Sequence, residues 1–519
     1  MLELKSIVAT TVAGIWLAAT AIQAQEITLR SIDESFTMSG TLAGFDGQNY
    51  QLESSVGTLL LGVDAVTCEG AACPDLLIDI QEFTIAGSKT MGTQMMPLLI
   101  EAYAFSLGAD LETEIISDSR VIYSILDSAG EIYAAITLDL GSSADAFTAL
   151  ENGDAFIGLS SRRVTESERN RFLRAGKGDL TSAAQERILG LDGLAIALNP
   201  ANPVQSLSLE QISDIFAGNI LNWREVGGLD LPISIYRQNG SAGSTQVFDT
   251  LVMAPSRRSL SNIAFILDDS DAIADAVMND RNGIGIISVA NDPNANTVAL
   301  RSICGQITTP TDFSIKTEEY PMSRRLFAYV NGRKLPEKVA GLLDFITSDA
   351  AQEVVVRAGF ANQAVTTASL NDQGRRLAHA LIAERDRPSL ELLQELVASI
   401  QDAERMSLTF RFKSGSVAPD NRAERDIIRL AEMLRQGAFD GKRLLIIGFA
   451  DNIGAINENQ RLSQARAESV RDTLLETVGT ANIGNVQFTP VGYGKLSPIG
   501  CNETEDGRDT NRRVEIWVR

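Results

Sequence analysis

The sequence predicts an α/β protein of several domains, and three observations carry that prediction. Residues 76–360 alternate short apolar strands with helix-length segments, the pattern of an α/β architecture. Residues 25–75 hold short strand patterns broken by turn residues, the pattern of a small β module. Near the C-terminus a continuously apolar run, Leu444 to Gly448, precedes a stripe spaced by four, Leu462, Arg466, Val470 and Leu474; this reads as a strand followed by a helix with one face toward the sheet. A length of 519 residues suits three or four domains, and 44% hydrophobic content is ample for their cores.

Residues 1–24 read as a secretory signal: Lys5 opens it, an apolar core runs from Ile7 to Ala19, and Ile22-Gln-Ala24 is a small-residue cleavage site. No cysteine follows that site, which argues against a lipid anchor there. An exported chain meets an oxidising compartment, and Cys68 and Cys73 are spaced for a local disulfide. Cys304 and Cys501 fall in different predicted domains, and spacing alone does not pair them. In the β module, strands are expected near 37–42, 50–53 and 58–63, with a hairpin turn at Asp46-Gly47. It carries no recognisable chemistry and reads as a packing or docking adaptor.

The net charge of −22 argues against nucleic acid and anionic membranes as partners. The one histidine, His379, leaves no room for a histidine-based catalytic or zinc site, so neither metal nor cofactor is expected.

In 76–360, strands are expected at 83–87, 155–159, 194–198, 284–287 and 326–330, with helices near 93–105, 209–216, 245–252 and 335–346. Four Gly/Ser segments stand at strand ends: Gly87-Ser-Lys-Thr-Met-Gly, Gly141-Ser-Ser-Ala, Ser160-Ser-Arg162, and Arg237-Gln-Asn-Gly-Ser-Ala-Gly-Ser244. Backbone N–H groups and hydroxyls at a helix N-terminus make an anion cradle. One such loop is usually a turn; four on one frame, two with an arginine, suggest a site. Distant carboxylates do not forbid it, because screening acts beyond ~8–10 Å.

Around these loops the chain resembles the PstS family of periplasmic phosphate-binding proteins. Matching segments include Asp192-Gly-Leu-Ala-Ile-Ala-Leu-Asn-Pro, Ser208-Leu-Glu-Gln-Ile-Ser-Asp-Ile-Phe, Ile220-Leu-Asn-Trp, Gly283-Ile-Gly, Tyr320-Pro-Met-Ser-Arg-Arg-Leu and Leu343-Asp-Phe-Ile-Thr-Ser. The resemblance implies a two-lobed, hinged venus-flytrap over 76–360, with phosphate in the cleft. It points to Ser88, Thr90 and the Met91 N–H, to Ser142, to Ser160 or Ser161, and to Arg237, Ser241, Gly243 and Ser244 as phosphate ligands. The family's Arg-x-x-Gly-Ser-Gly-Thr is one residue longer here and lacks the threonine. Arg162 stands where some members carry an aspartate, either facing the ligand or facing solvent.

Residues 361–405 are polar and helix-prone, and read as a helical linker with one packed face at Leu392, Leu396 and Ile400. Beyond it, over 406–519, Asp451 ends the apolar strand and Arg466 sits inside the helix stripe. The pair would suit a zwitterion, Asp451 on an ammonium and Arg466 on a carboxylate; a plain structural salt bridge accounts for the spacing equally well. Phe410-Arg-Phe-Lys-Ser-Gly-Ser, Gly448-Phe-Ala-Asp, Leu462-Ser-Gln-Ala-Arg-Ala, Gly492-Tyr-Gly and Asn511-Arg-Arg-Val-Glu together resemble the OmpA C-terminal, peptidoglycan-binding domain, an α/β sandwich. The resemblance gives Asp451 and Arg466 the diaminopimelate of the peptide stem as ligand. The usual Gly-His-Thr-Asp is Gly-Phe-Ala-Asp here.

The expected protein is therefore a non-enzymatic periplasmic solute-binding protein of a Gram-negative cell envelope. It would take phosphate or a similar oxyanion and associate with peptidoglycan near the outer membrane. A membrane transporter or an envelope protein is a further candidate partner. The alternative is an envelope scaffold that has lost its ligand. A phosphatase lacks the metal cluster, cysteine nucleophile or histidine such chemistry uses.

Overall fold

The computed structural model describes residues 26–519 apart from 33–34, 46–48, 64, 71, 74–79, 241–242, 269, 290–295, 333, 384–386, 418–420 and 480–482. The signal segment and the Asp46-Gly47 turn lie outside the described residues. The chain divides into two compact units between Leu76 and Leu77.

The first unit is a five-stranded antiparallel sheet, in spatial order Gly57–Gly62, Asn49–Ser54, Thr37–Phe45, Glu26–Ser31, Val66–Glu69. It has two more strands than expected. Glu26–Ser31 alternates inward Ile27 and Leu29 with exposed residues, and so pairs as an ordinary half-buried strand. Ile27, Leu29, Tyr50, Leu52 and Val66 form its small core. Cys68 and Cys73 are bonded at 2.00 Å, as expected.

The second unit opens with a ten-stranded mixed sheet that serves two lobes. The first lobe surrounds Ile85, Leu99, Ile136 and Leu342; the second surrounds Ile196, Phe216, Trp223 and Ile286. Two strands thread both. Glu186–Leu198 places Leu189 in the first core and Leu194, Ile196 and Leu198 in the second. Ser323–Tyr329 runs antiparallel to it, with Leu191 opposite Arg325 and a bulge between Ile188 and Gly190. The two lobes join at this pair of strands, where the buried core changes hands.

The C-terminal part is a five-stranded sheet in the order Thr367–Ala368, Glu404–Arg411, Arg513–Val518, Arg443–Gly448, Gln487–Gly492. Helices Asn421–Arg435 and Ile456–Val478 cover one face. The other is covered by Gly374–Ala383 and Arg387–Ile400, whose Leu377, Leu393, Leu396 and Ile400 pack on Leu445, Ile447 and Trp517. The 361–405 stretch is thus no spacer. Its apolar face closes a three-layer sandwich, because a sheet with two apolar faces needs cover on both. Among the described residues no helix is long and apolar enough to cross a membrane.

Cys304 of the second lobe and Cys501 of the C-terminal sandwich form a disulfide. Gln306 Nε2 donates to the Pro498 carbonyl at 2.6 Å beside it.

Candidate functional sites

The carboxyl ends of strands Glu82–Ser88, Ile132–Gly141 and Ile157–Ser160 lie side by side, because the three run parallel with Ser88 opposite Gly141 and Leu159 opposite Gly87. This places three of the four Gly/Ser loops on one edge. Gly87 is required there: its φ is 119°, and a Cβ would stand 2.4 Å from the Leu159 carbonyl oxygen. The helix Lys89–Ser106 starts immediately after, with buried Ser88 at its N-cap making no side-chain capping bond and no acid in the first turn. Its leading N–H groups are therefore suited to an external anion.

The next two loops bond to each other and to themselves. Ser142 donates to the Asp145 carboxylate at 2.8 Å and accepts from its N–H, a complete capping box. Ser143 Oγ lies 3.2 Å from Ser161 Oγ and accepts from the Ser161 N–H. Ser160, fully buried, donates to the Arg162 carbonyl at 2.6 Å.

Between the lobes lies a cleft of about 540 Å³. Ser142, Ser143 and Ser161 border it from the first lobe; Gln246, Val247 and Thr250 border it from the second. Four arginines, Arg162, Arg163, Arg324 and Arg325, line it as well. Each has a carboxylate: Arg162 pairs bidentately with Glu168 at 2.9 and 2.7 Å, Arg163 with Glu186 at 3.0 Å, Arg324 with Asp192 at 3.0 Å, and Arg325 bidentately with Glu318. Burial disfavours the Glu168 carboxylate, yet Arg162 and Thr165 hold its pKa below the usual value.

Of the residues expected to bind the anion, Ser142 and Ser161 border this volume. Ser88, Thr90, Met91, Ser160, Arg237, Gly243 and Ser244 lie outside its lining, and Ser241 is outside the described residues. The helices Lys89–Ser106 and Gly243–Phe248, which carry the first and fourth loops, approach each other. Arg237 differs from the cleft arginines. It is buried, and among the described residues its Nη1 donates only to its neighbour's carbonyl and its Nε has no partner; burial lowers its pKa. Arg163, Arg324 and Arg325 were missed as site residues. Their signal was two Arg-Arg doublets beside otherwise apolar strands, where a guanidinium needs an anion.

The second site is in the sandwich. Gly448 ends the strand Arg443–Gly448 so close to the helix Ile456–Val478 that a Cβ would meet the Ser463 carbonyl oxygen at 2.0 Å. That approach brings Asp451 and Arg466 to the same junction, but not into a mutual salt bridge. Asp451 is paired with Arg512 at 2.5 Å and accepts from the Ile453 N–H at 3.0 Å. Arg466 has no solvent exposure. It donates to the carbonyls of Ser416 at 2.9 Å, Lys413 at 3.2 Å and Phe449 at 3.4 Å, and lies over the Phe412 ring. Burial, then nearby Arg512, pulls its pKa down to about 10, against Asp451. Arg512 was legible only as part of the closing Asn-Arg-Arg run.

Residues 119–350 match the PBP superfamily domain, and residues 410–512 match the OmpA family. The chain joins a PBP superfamily domain to an OmpA family domain. The PBP domain is similar to the phosphate-binding protein PstS of Borreliella burgdorferi, 24% identical over 230 residues, 43% of this chain and 78% of that protein. The PstS of Staphylococcus aureus is 26% identical over 206 residues, 38% of this chain and 60% of its own length. Among solved structures, an ABC-type phosphate transport receptor from Vibrio cholerae is 25% identical with a TM-score of 0.41, covering 54% of this chain and 98% of the receptor. The peptidoglycan-associated lipoprotein of Burkholderia pseudomallei is 27% identical with a TM-score of 0.19, covering 21% of this chain and 89% of that one.

Proposed function

We propose that this protein is a non-enzymatic periplasmic solute-binding protein that captures phosphate or a similar oxyanion in the PBP cleft and is held at peptidoglycan by its OmpA domain. The observation that carries the reading is Arg237: a buried guanidinium with no carboxylate among the described residues, at the end of a strand whose following helix walls the cleft. An anion there would supply the missing counter-charge. Ser88 and the N–H groups of Thr90 and Met91 supply the facing donors when the lobes close by hinge motion. At the second site Asp451 takes the ammonium and Arg466 the carboxylate of the diaminopimelate stem, with Arg512 as the aspartate's resting partner. The relatives' names, phosphate-binding proteins, support the first half; the OmpA family match supports the second.

A second reading is favoured by one observation: every arginine lining the cleft already has a carboxylate. On it, the PBP domain is a ligand-free scaffold tethered to the wall. Calorimetric titration of the full chain with phosphate separates the two. Micromolar binding that weakens roughly 10- to 100-fold in Arg237→Ala supports capture, and no heat at millimolar phosphate favours the scaffold. Competition by sulfate measures selectivity. Sacculus pull-down tests the tether: Asp451→Asn is expected to lose retention, and wild-type retention would reject the assigned role.

A further inference from the structure

One side chain belongs to both the cleft and the domain junction. Arg325 lines the cleft, sits opposite Leu191 on one of the two strands shared by the lobes, and is paired bidentately with Glu318 of the second lobe. Glu318 also faces Arg411 of the OmpA domain, whose Nε lies 3.5 Å from its carboxylate. Arg411 donates to the Thr317 carbonyl at 2.8 Å and the Glu318 carbonyl at 3.2 Å on one side, and to the Thr510 carbonyl at 3.0 Å on the other. Thr510 lies two residues before Arg512, the partner of Asp451. Two ion pairs, Arg325–Glu318 and Glu318–Arg411, and one hydrogen bond to the Thr510 carbonyl therefore lead from the cleft to the segment that carries Arg512.

Two further features mark this junction. Glu318 holds a φ of 54°, a left-handed conformation that a residue with a side chain adopts only at a cost. The Cys304–Cys501 disulfide and the Gln306–Pro498 bond fasten the second lobe to the OmpA domain elsewhere.

We propose that the two ligand sites are energetically coupled through Arg325, Glu318 and Arg411, so that anion capture in the cleft tightens the hold on peptidoglycan. This rests on the two ligand assignments proposed above. On this proposal the oxyanion held by Arg237 also reaches the Arg325 guanidinium when the lobes close, and competes there with Glu318. Glu318, with Arg325 engaged elsewhere, draws Arg411 toward itself and away from the Thr510 carbonyl. The segment leading to Arg512 then relaxes, and Asp451 exchanges Arg512 for the ammonium of the peptide stem. By linkage, the peptide must tighten phosphate by the same factor.

The test is calorimetry on the full chain with two probes, inorganic phosphate and a diaminopimelate-containing stem tripeptide. Each is titrated alone and in the presence of the other at saturation. About a fivefold or greater tightening, equal in both directions, is expected. In Arg411→Gln both ligands still bind and the factor falls to one; Glu318→Gln, which leaves the OmpA contacts of Arg411 with backbone in place, gives the same loss and guards against a folding defect in the first variant. Independent binding of both ligands to the wild type overturns the coupling while leaving the proposed function intact. Wild-type coupling in both variants overturns the assigned route. Failure of phosphate to bind at any concentration instead overturns the function, and the coupling with it.

Discussion

The cleft and the C-terminal sheet are both rich in arginine, and they use it oppositely. In the cleft, Arg162 and Arg163 are about two-fifths exposed, each with one carboxylate. In the sheet, Arg376, Arg405 and Arg513 converge on Glu515, which has no exposure, with Arg405 also paired to Glu319. Trp517 Nε1 donates to the same Glu515 at 3.0 Å. Water can replace a partner in the first arrangement and cannot in the second. Arg162 and Arg163 are therefore the cleft arginines best placed to exchange a carboxylate for a ligand; Arg324 and Arg325 are only about a tenth exposed, and those around Glu515 hold the fold.

The sharpest way to break this contrast is Glu515→Gln, which strands Arg376 and Arg513 and leaves Arg405 with the Glu319 carboxylate alone. A loss of about 3–5 kcal/mol is expected in denaturant unfolding of the OmpA domain's transition. The pH dependence points the same way. Burial raises the Glu515 pKa, but Arg376, Arg405 and Arg513 outweigh it and leave it lowered. A carboxyl whose folded pKa lies below its unfolded value stabilises the fold above that unfolded value, near 4.5, and loses the contribution as pH falls through the folded one. Acid unfolding should thus steepen below about pH 4 in the wild type and flatten in Glu515→Gln.

Arg237→Ala comes next. The loss of one charge-assisted contact, about 1.5–3 kcal/mol, corresponds to roughly 10- to 100-fold weaker phosphate binding by calorimetry, with thermal stability unchanged or raised because an unpaired buried charge is gone. The smallest effect sharpens the comparison most. Glu168→Gln keeps the capping box with Thr165 but releases Arg162; stability should move by less than about 1 kcal/mol in thermal melts. Phosphate should bind as tightly as in the wild type or a few-fold tighter. A stability loss like that of Glu515→Gln would erase the distinction between the two regions.

Most of the architecture was legible. Strand–helix alternation located the lobes, and the 209–216 helix was placed to the residue because Ser208 caps it and its apolar residues keep helical spacing. The linker was misread because polar, helix-prone sequence says nothing of what its apolar stripe covers; only the second apolar face of the sheet, at Leu445 and Ile447, supplies the answer. The loops were legible as anion-capable, since their chemistry is local. Their pairing was not. Whether Asp451 meets Arg466 or Arg512, and whether a cleft arginine is matched by Glu168 or Glu318, depends on contacts between distant segments that no spacing encodes. The same holds for Cys304 and Cys501, 197 residues apart.

That bond sets how force travels through the molecule. Tension applied at the OmpA domain enters the PBP domain at Cys304, a covalent point on the second lobe, before it can stretch the polypeptide through the helices Gly374–Ala383 and Arg387–Ile400. A pull on the OmpA domain is thereby passed to the second lobe through a covalent bond. The first lobe has no such covalent link among the described residues.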